Sequence, residues 1–191
     1  MANRRIFYAV QAVGMATDGS NAFTPIHGLQ TFGMNTTISL QQLFEMGQLS
    51  LYENVEDVPD VECTLEKCLD GYPLIYHLGT RGAASASLVG RSATKTILGL
   101  SIYPDVQDAA SGIPLNQCTV SGLFCSSVSY EVPTDGPAKE AVTFVGNNKR
   151  WQTSAFTFAP SGFGSDSPTT SGTGTGTVNR RQHVVFTPAS I

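Results

Sequence analysis

The sequence predicts an all-β chain, an antiparallel sandwich or barrel carrying one short helix. Apolar and polar residues alternate with a period of two in about nine segments, the mark of strands with one buried face. Gly, Pro, Asn and Asp punctuate those segments as turn formers. The length of 191 residues suits one sizeable core better than two, so residues 1–191 are read as a single domain.

The elements follow in chain order. Ile6–Met15 is rich in β-formers (Ile6, Phe7, Tyr8, Val10, Val13) and reads as a strand. Arg4–Arg5 ahead of this apolar run imitates a signal peptide, but Gln11 and Tyr8 interrupt it. From Gln30 to Leu40, Phe32, Met34, Ile38 and Leu40 share one parity, against Thr31, Asn35, Thr37 and Ser39. Leu49, Leu51 and Val55 make the next apolar face, and Val61, Cys63, Leu65 and Leu69 the one after. Asp57-Val58-Pro59-Asp60 divides them. Pro73 stands where a helix would begin, Leu74, Ile75 and Leu78 form its stripe, and Gly79 ends it. Gly82–Gly90 has no decisive pattern.

Thr96–Tyr103 is a further strand. Between Cys118 and Val132 the even positions are apolar (Cys118, Val120, Phe124, Val128, Tyr130, Val132), a run long enough to predict a bulge near Gly122. Ala141–Val145 and Trp151–Phe158 are expected as two strands split by a turn at Gly146-Asn147-Asn148, and Val178–Thr187 as the last. Pro160 to Thr177 lacks aliphatic residues and cannot build a core, so residues 160–177 read as a long flexible loop.

Composition narrows the function. Charged residues are only 14% of the chain, with Gly, Ser, Thr, Asn and Gln in their place, a skin suited to contact with other copies. The net charge of −4 has the wrong sign for gripping phosphates. Eight of the fifteen acids lie between Glu45 and Asp70, facing only Lys67. No segment reaches the ~20 apolar residues of a membrane helix.

Catalytic patterns are missing. His27, His77 and His183 are scattered without ligand spacing, no G-x-S-x-G occurs, and the Gly-x-Gly runs near 172–176 precede no helix. The cysteine gaps, Cys63–Cys68 and Cys118–Cys125, do not fit a zinc knuckle. Odd spacing on a strand sends the two members to opposite faces. Cys63 and Cys118 are therefore expected buried and inert, and Cys68 and Cys125 on an outer face, open to intersubunit disulfides. No enzyme activity, cofactor or metal is expected.

The stretch around Leu40 to His77 (SLQQLFEMGQLSLYENVEDVPDVECTLEKCLDGYPLIYH), with AVTFVGNNKRW at Ala141–Trp151 and the basic VNRRQHVVF near the C-terminus, resembles tail tube proteins of long-tailed, contractile bacteriophages. The resemblance implies a tail-tube-type β subunit forming hexameric rings that stack into a tube for passive passage of DNA. It further implies a virion location, assembly in the host cytoplasm, and sheath, baseplate or terminator proteins as partners. Arg4, Arg5, Glu53, Glu56, Asp57, Arg180 and Arg181 would then make inter-subunit charge contacts. The alternatives are another phage structural role (capsid decoration, tail terminator, sheath-associated protein) or a secreted adhesin or carbohydrate-binding module.

Overall fold

The alternating segments become strands in the computed structural model, which describes residues 11–20, 22–47, 51–72, 74–80, 94–103, 114–152 and 157–158. Among these the order is β1 (Gln11–Thr17), β2 (Ala22–Pro25), β3 (Leu29–Thr37), β4 (Leu40–Phe44), β5 (Leu51–Glu56), β6 (Asp60–Cys68), α1 (Ile75–Thr80), β7 (Thr96–Ile102), β8 (Asn116–Glu131), β9 (Lys139–Gly146), β10 (Asn148–Gln152) and β11 (Thr157–Phe158). The described residues have the predicted all-β architecture with one short helix. Part of the Ile6–Met15 strand, Pro73, the Gly82–Gly90 stretch, the Val178–Thr187 strand and the 160–177 loop lie outside the described residues.

One sheet runs in the order β11-β2-β1-β7-β8-β9-β6-β3, with β10 also on β8, and β4-β5 form a separate pair. Every pairing is antiparallel except β11 with β2. The long strand β8 belongs to two sections of this sheet. Its first half pairs with β7 on one side and β10 on the other, and its second half pairs with β9.

The predicted bulge sits at the changeover. Two steps on β7, Thr96 to Leu98, span three on β8, Leu123 to Val120, and Gly122 takes a positive φ of 67°. That backbone suits glycine, and the extra residue bends the strand. A second irregularity follows between Cys125 and Ser127. The core face of β8 therefore shifts from even (Cys118, Val120) to odd (Leu123, Cys125) and returns to even at Val128 and Tyr130, which pair with core-facing Val142 and Glu140.

Both sections and the helix feed one core. Val13 and Met15 of β1, Leu98 and Leu100 of β7, and Cys118, Val120 and Leu123 of β8 meet Val61, Cys63 and Leu65 of β6, Val142 and Phe144 of β9, and Ile75 and Leu78 of α1. Each of the Val, Leu, Ile, Met and Phe side chains contributes about 1.5–3 kcal/mol on leaving water. A smaller cluster joins Ala12, Ala16, Phe23 and Tyr103. Among the described residues no helix is long and apolar enough to cross a membrane.

Several boundaries differ from the sequence reading. The Gln30–Leu40 segment is broken between β3 and β4, because the ribbon leaves the core there. Phe32 and Met34 pack on the core, whereas Ile38 and Leu40 are exposed. Gly146-Asn147-Asn148 is no reversal. β9 and β10 run in one direction along β8, Val145 opposite Phe124 and Asn148 opposite Ser121, so the segment is a kink. The Trp151–Phe158 segment serves two pairings, β10 on β8 and β11 on β2. β2 had no sequence signal strong enough to predict it. The helix extends one residue past Gly79, to Thr80.

Candidate functional site: open edges and an exposed arm

The section β3-β6-β9-β8 has strands at both margins whose outer edges pair with nothing among the described residues: β3, and β8 beyond Leu123. Such edges carry rows of N–H and C=O groups that template pairing with another chain. Neither margin shows the usual defences of Pro, inward charge or shortness: β3 is LQTFGMNTT, and β8 from Phe124 is FCSSVSYE.

The face of this section turned from the core is mostly small and polar, with Phe124 and exposed Val145 as its large apolar members. Strand alternation and register place Thr31, Asn35 and Thr37 of β3, Glu62, Thr64 and Glu66 of β6, Lys139 and Thr143 of β9, and Ser127, Ser129 and Glu131 of β8 there. Lys139, the cation on this face, donates from Nζ to Glu66 Oε1 at 2.8 Å. Glu66 holds the Lys139 ammonium above its ordinary pKa. The balance of Glu62, Glu66 and Glu131 against Lys139 leaves the face acidic.

The β3–β6 ribbon continues into β4–β5, where Asp57 N–H donates to the Ser39 carbonyl across the junction. This arm lies beyond the core and its principal contacts are internal. Ile38, Leu40, Leu43, Phe44, Met46, Tyr52, Val55 and Val58 are all exposed, Met46 completely and Tyr52 at 69%. Scattered apolar surface residues are ordinary, but a contiguous set marks an interaction surface. Glu53, Glu56 and Asp57 sit on this arm, all exposed. Sequence reasoning placed the acids but assigned Ile38, Leu40 and Val55 to buried faces. Their alternation persists after the partner sheet has ended.

At the other end of the ribbon a buried polar cluster fixes the helix. Lys67 and Glu140 face one another across β6 and β9, both fully buried. Lys67 Nζ donates to Asp70 Oδ1 at 3.2 Å. Glu140 accepts the Ile75 N–H at 2.7 Å, the Tyr76 N–H at 3.1 Å and the Tyr130 hydroxyl at 3.2 Å. These are the unsatisfied donors of a helix start. Burial nevertheless raises the Glu140 pKa, outweighing the N–H groups and Lys67 that pull it down. The cluster is architectural: its groups are spent on each other and on the backbone. Among the described residues no group of His, Cys, Asp and Glu could hold a metal ion.

On the opposite flank, Lys149 of β10 donates to Thr36 Oγ1 of β3 at 3.3 Å, with its ammonium 5.9 Å from the exposed Trp151 ring. Arg150, also exposed, lies between them in sequence.

The cysteine assignment is half corrected. Cys63 and Cys118 are buried as expected, and burial pushes the Cys63 thiol up to about 12. Cys68 is buried and not on an outer face: β6 ends there with the Cys68 N–H donating to the Gly28 carbonyl and the Leu69 N–H to the Ala138 carbonyl, and Asp70 and Tyr72 just beyond are buried too. Cys125 is half-buried against the core, carried there by the bulge at Gly122. Arg4, Arg5, Arg180 and Arg181 lie outside the described residues.

Comparison with known proteins gives a likeness of fold alone. No family model matches the chain, and no curated protein matches by sequence. Among solved structures, a chain of the SPP1 tail tube aligns over 91% of this chain and 99% of its own, with a TM-score of 0.57 at 10% identity. A chain of the sheath–tube complex of an extracellular contractile injection system (PVC, extended state) aligns over 78% and 93%, with a TM-score of 0.56 at 12% identity. A chain of the anti-feeding prophage baseplate, 6-fold symmetrised, aligns over 80% and 97%, with a TM-score of 0.56 at 11% identity. The fold is that of tail-tube-type proteins.

Proposed function

We propose that this protein is a structural subunit of a phage-type tail tube, assembled as hexameric rings that stack into a hollow conduit for DNA. The observation that carries the reading is the β3-β6-β9-β8 section, whose two outer edges pair with nothing among the described residues. A strand edge open at each end of one four-stranded section joins head to tail with the next copy, and such a heterologous contact closes a ring when its rotation permits. Six-fold closure is supported by the similarity to the 6-fold symmetrised baseplate chain.

The small acidic face then lines the bore. Phosphate affinity scales with available Lys and Arg contacts, and Lys139 there is occupied by Glu66. Hydroxyls and carboxylates give passing DNA nothing to hold. The core side, the helix and β10 lie outward, toward sheath, baseplate or terminator proteins in a virion tail.

Negative-stain electron microscopy of the concentrated chain tests this. Hollow filaments of uniform bore are expected. A chain that stays monomeric at high concentration with tail partners present would overturn the reading.

A further inference from the structure

The arm and the β10 edge are complementary in chemistry, and among the described residues neither the outer edge of β10 nor the acids of the arm has a partner strand or ion pair within the subunit. Register puts Leu40 and Phe44 on one face of the arm with Asn54 and Glu56, and Leu43 and Val55 on the other with Gln41 and Glu53. Both faces are thus part apolar and part acidic. Residues 38–58 hold Glu45, Glu53, Glu56 and Asp57 and no Lys, Arg or His. Neither ion pair found among the described residues involves these acids. An arm so built is not finished by water on either side.

β10 offers the opposite surface. It pairs only with β8 among the described residues, which leaves its outer edge open. It carries Lys149, which bonds Thr36, and exposed Trp151 on the face shared with Val120 and Cys118, and exposed Arg150 on the opposite face, so both sides of this edge are cationic. Trp, Tyr and Arg are the side chains that anchor interfaces best. No carboxylate within the subunit neutralises Arg150 among the described residues.

We infer that the β4–β5 arm of one copy docks on the open β10 edge of a neighbouring copy, its acids against Lys149 and Arg150 and its Phe44, Met46 and Tyr52 against Trp151. The occupant is a second copy of this chain, because four acids among apolar side chains meet two cations beside an indole. The inference rests on the self-assembly reading and names the patch that the arm occupies.

Two measurements on the full chain test it. In the first, p-benzoylphenylalanine replaces Phe44 and assembled protein is irradiated and digested. Crosslinks from position 44 to the 148–152 peptide of another copy are expected, and crosslinks confined to other segments, or none in tubes that do form, overturn the inference. In the second, Glu53→Lys with Glu56→Lys on the arm, and Arg150→Glu on the edge, are each expected to cut polymer yield at least tenfold. The chain carrying all three is expected to recover part of it, since positions 53 and 56 then bring positive charge to a negative charge at position 150. Circular dichroism of each variant confirms folding. Wild-type tubes without that recovery overturn the docking assignment and leave the tube reading standing. A wild-type chain that never assembles overturns both.

Discussion

The Glu140 carboxylate accepts the Ile75 backbone N–H at 2.7 Å from a strand 65 residues further along the chain. This contact ties α1 to the centre of the sheet, and Tyr76 N–H repeats it at 3.1 Å. A six-residue helix has no stability of its own, so its place depends on this anchor and on buried Ile75 and Leu78. Glu140→Ala would orphan two helix donors and leave Lys67 with less counter-charge. We predict a loss of about 3 kcal/mol, with Glu140→Gln costing less, read from urea midpoints of dilute protein.

The same carboxylate sets a pH dependence. Burial raises its folded pKa above the unfolded value of about 4.3. The stability linked to this titration is therefore complete below the unfolded pKa and is lost as pH rises through the folded one. The stability gap between wild type and Glu140→Gln should narrow from pH 4 toward pH 8. Denaturation series across that range check it, and a gap that widens with pH would contradict the assignment.

Packing of the helix on the sheet leaves no room at Gly79. A Cβ there would lie 2.9 Å from the Phe144 ring and 3.1 Å from Met15 Sδ. Both neighbours are themselves buried, and Phe144 is fully so. Gly79→Ala is expected to destabilise by about 1–3 kcal/mol despite alanine's better helix propensity, measurable by thermal or urea unfolding.

Thiol chemistry separates the four cysteines. Cys125 alone among them is half-exposed, and it should react first with a maleimide. Cys63, with its thiol pushed up to about 12, should label only on unfolding, as should buried Cys118. Cys68 should be slow for want of access. Intersubunit bridging through Cys68 and Cys125 would require Cys68 to be uncovered, so monomer bands on non-reducing gels of assembled protein are expected.

Much of the fold was legible because period-two alternation reports burial directly. Val61, Cys63 and Leu65 fall on the core as the pattern demands, and Gly122 bends β8 where an over-long strand needed relief. The arm was not legible as an arm: Ile38 and Leu40 continue the alternation of Phe32 and Met34, and sequence cannot say where the facing sheet stops. β10 was misjudged because Gly146-Asn147-Asn148 has turn composition, yet pairing along β8 keeps the chain running in one direction through the kink. Cys68 was misplaced because parity ignores what folds over a strand's end. Glu140 and Lys67 gave no signal, since a charged residue within an alternating strand reads as solvent-facing until its partners are known.

Helical reconstruction of the assembled chain, at a resolution that separates strands, tests the central claim most directly. The account predicts one continuous β-barrel around the bore, with β3 of each copy paired to residues 124–131 of the next and Glu62, Glu66 and Glu131 facing the lumen. A tube whose copies leave either edge unpaired, or turn the β10 flank inward, would contradict it.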